Sequence, residues 1–175
     1  MSLKDLQEKV KALNKVKVNT GWFETARYPN GTPAAYVATI QEHGYQGGGV
    51  KIPPRPFMRP AEAENGKKWV KRAQVNAGKF LKDEMSIEAS SNQLGMQVQD
   101  DILDKLVGPH EPLKKITLLL RKWRDEGIEI NKSTVERARQ AIANNPNIKV
   151  ASGPRAKPLD DTNYLISSLT YTVET

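Results

Sequence analysis

The feature that most constrains this chain is a proline-rich segment at residues 50–61, in which four prolines fall within the eight residues from Pro53 to Pro60. Proline has no backbone N–H and holds φ near one value, so such a segment suits neither a helix interior nor an interior strand. The sequence therefore predicts a stiff, extended connection that leads into a long helical tract after Pro60. Three apolar side chains are expected to hold it against the core: Ile52, Phe57 and Met58.

Apolar residues recur at three- and four-residue steps along much of the chain, a pattern typical of amphipathic helices. This periodicity predicts helices over residues 2–13, 34–43, 60–90, 93–107, 113–125 and 133–143. The third and fourth are either separate or one helix bent near residues 90–92. Helix starts are predicted from side chains able to cap a first turn: Ser2 with Asp5, Thr32 before Pro33, and Ser133 with Glu136.

Alternation of apolar and polar residues predicts strands over residues 15–22, 148–150 and 169–173. With 175 residues, of which 38% are apolar, the chain is expected to build one hydrophobic core. The sequence therefore predicts a single α+β domain over residues 1–175. In it a small, mostly antiparallel sheet carries several helices on one face, including a long central helix or helix pair.

The residue types that most chemistry requires are scarce. The chain has no cysteine, and its two histidines, His43 and His110, are far apart in sequence, which excludes thiol chemistry and argues against a metal site. No base, nucleophile or ligand pattern accompanies the adjacent carboxylates Asp160 and Asp161. We therefore expect no catalytic residues, no cofactor and no metal. The longest apolar run is too short to span a membrane, and the first residues lack a signal-peptide pattern, so no membrane partner is expected.

Several short blocks of sequence occur in a defined order along the chain. The sequence IPPRPFMRPA at residues 52–61 follows AYV at 35–37 and QEHG at 41–44, and KPLDDTNYLISSL occupies residues 157–169. Between these blocks, Leu113, Thr117 and Arg121 follow one another at intervals of four residues, and Lys122 comes directly after Arg121. In this order the blocks resemble those of the tail-completion, neck (head–tail joining) and minor tail proteins of tailed bacteriophages. The chain departs from that pattern at Asn163, which replaces a glycine, in the glycine-rich residues 45–49, and in a probable helical insertion at about residues 124–154.

The resemblance implies a non-catalytic structural protein of the virion, such as a tail-completion (tail-terminator) or neck subunit. Such subunits form a ring, commonly a hexamer, at the head–tail junction. The implied partners are other copies of the chain, the tail tube protein, and head-closure or portal-side neck proteins. The implied location is the neck or tail end of the virion, reached after assembly in the host cytoplasm.

The proline-rich segment is the first candidate interface. Prolines reduce the entropy that a loop loses on binding, so this segment is suited to present Arg55 and Arg59 to a neighbouring subunit. The alternative is a stiff linker in which Phe57 is a core plug and the arginines are solvated. The candidate residues are Pro53, Pro54, Arg55, Pro56, Phe57 and Arg59.

Asp161 and Thr162 form the second candidate. Their side-chain oxygens can accept hydrogen bonds from backbone N–H groups at the start of a turn, which would fix where the last strand begins. A local cap of this kind is favoured over a binding site.

The formal net charge of +7 favours contact with anionic surfaces. Lys67, Lys68, Lys71 and Arg72 are candidate DNA-facing residues, which would attract passing DNA without sequence specificity; the alternative is a solvated helix face. Residues 113–143 also imitate a helix-turn-helix, although the connection at 126–132 is longer than the usual tight turn. An alternative function is therefore that of a basic DNA-binding accessory protein that uses this helical hairpin.

Overall fold

The structure is a computed structural model that describes residues 2–47 and 50–175, apart from the side chains of Val50 and Arg155. The backbone divides into two compact units. The first unit comprises Met1–Gly108 and Ile166–Thr175, and the second, Pro109–Leu165, interrupts it in sequence. The second unit contains the predicted insertion at 124–154 and extends beyond it at both ends. A single folding domain over residues 1–175 stays a prediction.

Helices and short antiparallel strands together confirm the predicted α+β class. The first unit contains the helices α1 (Leu3–Lys15), α2 (Ala34–His43), α3 (Met58–Leu81) and α4 (Ile87–Val107). Its strands are β1 (Lys17–Gly21), β2 (Tyr45–Gly47), β3 (Val50–Ile52) and β4 (Thr170–Glu174). The short helix α7 (Tyr164–Ser167) lies where the chain passes from the second unit back to the first.

The start of α1 confirms the predicted capping box. The Ser2 hydroxyl accepts from the backbone N–H of Asp5 at 3.1 Å, and the Asp5 carboxylate accepts from the backbone N–H of Ser2 at 2.8 Å. The start of α2 differs from the prediction, because its N-cap is Pro33 and no side chain caps it. Gly44 ends α2 with a φ of 77°, a left-handed conformation that glycine adopts without strain.

The helices α3 and α4 pack against each other as a hairpin. The predicted bend at residues 90–92 is wrong, since the chain breaks between Leu81 and Ile87, where Asp83 has a φ of 62°. Ser86 then caps α4 by accepting from the backbone N–H of Ala89 at 3.1 Å. Ser91 lies inside α4, and its hydroxyl donates to the carbonyl of Ile87 at 2.7 Å, a bond that a serine inside a helix can make to the preceding turn.

The first sheet joins the two ends of the first unit. β1 and β4 pair antiparallel, with Val18 opposite Val173 and Thr20 opposite Tyr171. Exposed and half-buried residues alternate along β4 and along β1 as far as Thr20, and the predicted strands near residues 15–22 and 169–173 are confirmed. α4 covers this sheet, and the Gln99 side chain donates to the carbonyl of Leu169 at 2.9 Å.

The second sheet is a hairpin that the sequence analysis did not predict. β2 and β3 pair antiparallel on either side of the glycine-rich segment, of which Gly48 and Gly49 lie outside the described residues. The expected extended connection is therefore partly a strand, and it leads through residues 53–56 into α3. The strand predicted at residues 148–150 is wrong, because this stretch has no strand pairing in the structure.

The second unit contains α5 (Lys115–Asp125), α6 (Lys132–Asn144) and a 3-10 helix at Gly153–Ala156. The predicted cap at Ser133 is wrong: Asn131 is the N-cap of α6, and its side chain accepts from the backbone N–H of Thr134 at 3.0 Å. Leu119 of α5 and Ala138 of α6 are fully buried. Among the described residues, no helix combines the length and apolar character needed to cross a membrane.

Candidate functional site

The proline-rich segment ends in the first turn of α3. Because α3 begins at Met58, Pro60 lies inside its first turn, where a backbone N–H has no partner within the helix. The helix therefore begins two residues before the predicted start at residue 60. The N-cap is Phe57, and it supplies no side-chain cap of its own.

Glu42, the last buried residue of α2, provides the missing cap. One carboxylate oxygen, Oε2, accepts from the backbone N–H of Phe57 at 2.7 Å and of Met58 at 2.9 Å. The other, Oε1, accepts from the backbone N–H of Arg59 at 3.2 Å. Glu42 is 5% exposed, so a buried negative charge lies at the positive end of the α3 dipole. A side chain from α2 thereby caps α3.

Arg59 completes this arrangement, which we call the Glu42 clamp. The clamp consists of Glu42, the backbone of Phe57 and Met58, and both the backbone and the side chain of Arg59. The Arg59 Nε donates to Glu42 Oε1 at 2.9 Å, and an Nη atom donates to the Glu42 backbone carbonyl at 3.0 Å. The Arg59 side chain is 60% exposed. One edge of its guanidinium is therefore held while the rest faces solvent.

The clamp sets the protonation of Glu42. Burial alone would raise the pKa of this carboxyl group, but hydrogen bonds from the Phe57 backbone, the Arg59 side chain and the backbones of Met58 and Arg59 outweigh that effect. The pKa therefore lies below its ordinary value. Glu42 is a carboxylate at neutral pH, as its role as an acceptor requires.

The remaining residues of the segment divide between core and surface. Phe57 is fully buried and meets Trp22 edge-to-face, with ring centroids 5.6 Å apart, which is the position that the core-plug alternative predicts. Arg55 is buried, and its backbone N–H donates to the carbonyl of Gln41 at 2.6 Å. Pro54 and Pro56 are exposed and Pro53 is half-buried. Of the two candidate arginines, Arg59 is therefore the one that faces solvent.

Asp161 and Thr162 lie in the second unit. Thr162 Oγ1 accepts from the backbone N–H of Tyr164 at 3.4 Å, a local contact of the expected kind. The Asp161 carboxylate instead binds Arg124 through both oxygens, at 2.6 and 2.8 Å, and lies 3.4 Å from Arg121 Nε. These bonds raise the pKa of Arg124. Asp161 thus connects its segment to α5.

The basic candidates share one helix. Lys67, Lys68, Lys71 and Arg72 are all exposed on α3, and the Lys68 ammonium donates to Asn65 Oδ1 at 2.9 Å. They lie two to four turns beyond the Glu42 clamp along the same helix. The structure therefore brings the basic residues and the clamp onto one element, while Asp161 and Thr162 belong to the other unit.

An open, largely apolar groove lies along α3 in the first unit. Its volume is about 490 Å³. β1 contributes Val18 and Thr20, and α4 contributes Leu94, Val98 and Ile102. α3 contributes Met58, Glu62, Gly66, Trp69, Val70 and Ala73. Glu62 is the one ionisable side chain in this lining, so the groove is suited to apolar contact more than to proton transfer.

Two polar contacts inside the hairpin, one buried and one half-buried, were not predicted. Asn76, 1% exposed, donates to the carbonyl of Ser90 at 3.0 Å, and Trp69 Nε1 donates to Asp101 at 2.6 Å. A polar residue on the apolar side of a helical pattern is the signal that could have found Asn76. Within residues 2–47 and 50–175, no three or more His, Asp or Glu side chains are grouped so that they could hold a metal ion.

No protein-family model, no curated protein and no solved structure matches the chain.

Proposed function

We propose that the chain is a structural protein of a tailed-bacteriophage virion, a tail-completion or neck subunit that acts as one member of a ring at the head–tail junction. Its proposed partners are other copies of itself, the tail tube protein, and head-closure or portal-side neck proteins. It works through its contacts and carries out no chemical step. The proposed location is the assembled particle, after synthesis in the host cytoplasm.

This proposal rests on where the structure places the residues of the blocks that resemble phage proteins. Glu42 comes from QEHG, and Phe57 and Arg59 come from IPPRPFMRPA; all three meet in the Glu42 clamp. An enzyme or receptor typically directs the polar groups of its motif into a cavity where a ligand can bind. Here the motif fixes the join between two helices, as a scaffold subunit requires.

The clamp also holds a surface in a defined position. Pro54, Pro56 and the outer part of Arg59 are exposed beside a buried anchor, Phe57. Because prolines and the clamp restrict this segment before any partner binds, little further entropy is lost on binding. This supports the segment as part of a subunit contact.

The exposed lysines of α3 fit a minor role beside passing DNA. Phosphate attraction without base contacts needs only exposed cations, and Lys67 and Lys71 are exposed. We propose no sequence-specific contact.

The alternative, a DNA-binding accessory protein, has less support from the helical hairpin of the second unit. Several of its cations already have protein partners: Arg124 binds Asp161, Arg139 binds Glu136 at 3.0 Å, and Arg137 lies over the Trp123 ring at 4.8 Å. A recognition helix would instead direct such side chains at base edges.

The test is assembly of the purified full chain. Size exclusion with light scattering should show a closed oligomer, alone or after mixing with tail tubes, and electron microscopy should show the chain as a ring at the tube end. Antibody labelling of intact virions should locate it at the neck. Tight, sequence-selective binding of duplex DNA by a monomer, or absence from virions, would refute the proposal in favour of the accessory-protein function.

A further inference from the structure

Two exposed surfaces of the first unit are opposite in charge, and both include exposed apolar side chains. The first, which we call the basic groove, consists of the apolar groove with Lys67, Val70 and Lys71 at its α3 side. Val70 both lines the groove and is 58% exposed. Lys67 and Lys71 are one helical turn apart and both exposed, and each neighbours Val70 on the helix surface or along the chain.

The second surface, which we call the acidic ridge, is the outer face of α4. It consists of Met96, Asp100, Asp104 and Val107, whose spacing of four, four and three residues places them on one side of the helix. Met96 is 54% exposed and Val107 is 56% exposed, and both aspartates are exposed. This exposed face of α4 therefore carries two carboxylates between two large apolar side chains.

The charges of the two helices are opposite overall. α3 carries six Lys or Arg residues and two Glu, whereas α4 carries four acidic residues and one Lys. The contacts inside the hairpin do not use the outward charges: Lys105 of α4 pairs with Glu64 of α3, and Asp101 accepts from Trp69. Lys67 and Lys71 on one helix, and Asp100 and Asp104 on the other, remain at the surface.

We infer that the acidic ridge of one copy docks on the basic groove of the next copy, so that Met96 and Val107 meet the apolar lining while the aspartates face the lysines. The inference rests on the proposed ring. The two surfaces are different patches of one chain, and such a head-to-tail contact generates a ring when its rotation closes. Each subunit then makes two contacts, and closure strengthens a contact that is modest by itself. Because the exposed charges are screened by salt, assembly should weaken at high ionic strength.

Charge exchange tests the contact. The full chain is prepared as K67E/K71E, as D100K/D104K, and with all four substitutions, and the dissociation constant is measured by analytical ultracentrifugation. Each two-site variant should associate at least about tenfold more weakly than the wild type, since like charges then face each other. An equal mixture of the two variants, and the four-site variant, should recover wild-type association. K4E/K11E, on exposed positions of α1, changes the net charge as K67E/K71E does; it is the control for that variant and should assemble normally.

Cross-linking provides a readout that does not depend on charge. The chain has no cysteine, so V70C and M96C each introduce one thiol. A short bis-maleimide should join V70C to M96C in a mixture, and should join neither variant to itself to a comparable extent.

The outcomes separate the two proposals. If the wild type forms a ring and the charge variants assemble equally well, or if mixing fails to restore association, the docking of these two surfaces is refuted while the ring stands. If the wild type stays monomeric at high concentration, at low salt and with tail tubes, both are refuted. Loss in each variant, recovery in the mixture and the V70C–M96C cross-link support the inference.

Discussion

The Oε2 atom of Glu42 lies 2.7 Å from the backbone nitrogen of Phe57, and through this contact α2 fixes the place where α3 begins. The two residues are 15 positions apart, with the glycine-rich turn and the prolines between them. A helix start normally takes its cap from a neighbouring side chain. Here the cap is a buried carboxylate from another helix, so the stability of α3 and the position of the proline-rich segment depend on the same residue.

Glu42→Ala should destabilise the protein by about 3 kcal/mol, because it leaves three buried or half-buried N–H groups at the start of α3 without their acceptor. Glu42→Gln should reduce the free energy of unfolding by about half as much. Its amide oxygen can still accept a hydrogen bond, but its NH₂ group would face N–H donors and could accept from none of them. Urea unfolding measures both, and hydrogen exchange at residues 57–59 shows whether the change is local. Glu24→Gln, at an exposed position, is the control. A loss below about 0.5 kcal/mol for Glu42→Ala would contradict the role of the clamp.

The stability contributed by Glu42 should depend on pH. Its pKa in the folded chain is below the ordinary value of 4.5, so the folded state binds this proton less readily than the unfolded state does. The contribution is complete above about pH 5 and falls as pH drops below 4.5 and through the folded pKa. The difference in unfolding free energy between wild type and Glu42→Gln should therefore shrink between about pH 5 and pH 3. A difference that stays constant or grows over this range would count against a buried carboxylate here.

The sequence predicted the helices better than their junctions. Periodic stretches predicted α1, α2, α5 and α6 to within two residues at each end, because the apolar stripe that defines each one is a local pattern. The break or bend between α3 and α4 was predicted at residues 90–92, a Ser-Ser-Asn sequence. In the structure Ser91 is satisfied by the Ile87 carbonyl, and the turn lies at Asp83 instead.

The clamp itself could not be predicted from local pattern. Nothing near Glu42 marks it as a cap, since the N–H groups that it binds belong to a segment reached only after a hairpin of β2 and β3. That hairpin was missed because its strands are three residues each, too short for alternation to be recognised. Phe57 was expected to hold the proline-rich segment against the core because it is one of three large apolar side chains there.

Asp161→Ala should destabilise the second unit more than Arg124→Ala does. Arg124 is 39% exposed and its ion pair is worth about 0.5–1 kcal/mol after screening by solvent. Asp161 also lies beside Arg121, whose side chain is 11% exposed, so its removal withdraws the carboxylate from a more deeply buried cation and should cost about 1–2 kcal/mol. The measurement is thermal or urea unfolding followed by the fluorescence of Trp123 in a chain where Trp22 and Trp69 are phenylalanine. Equal reductions in stability for the two variants would show that the contact between Asp161 and Arg121 contributes nothing measurable.

Gly95→Ala should destabilise the first unit although alanine is the better helix former. A Cβ atom at position 95 would lie 2.3 Å from Cδ2 of the Tyr171 ring, on the strand that α4 covers. Relieving that overlap requires the ring of Tyr171 in β4 to move. Overpacking of this kind costs about 1–3 kcal/mol, whereas the higher helix propensity of alanine contributes about 1 kcal/mol. Gly78→Ala is the matched control: it lies in α3 with nothing within 4 Å of its Cβ position, so it should stabilise by about 0.5–1 kcal/mol. Pairing Gly95→Ala with Tyr171→Val, which keeps a residue suited to a strand, should recover part of the loss, and a double-mutant cycle measures this coupling directly. Additive effects of the two substitutions would mean that the helix and β4 do not meet closely at this point.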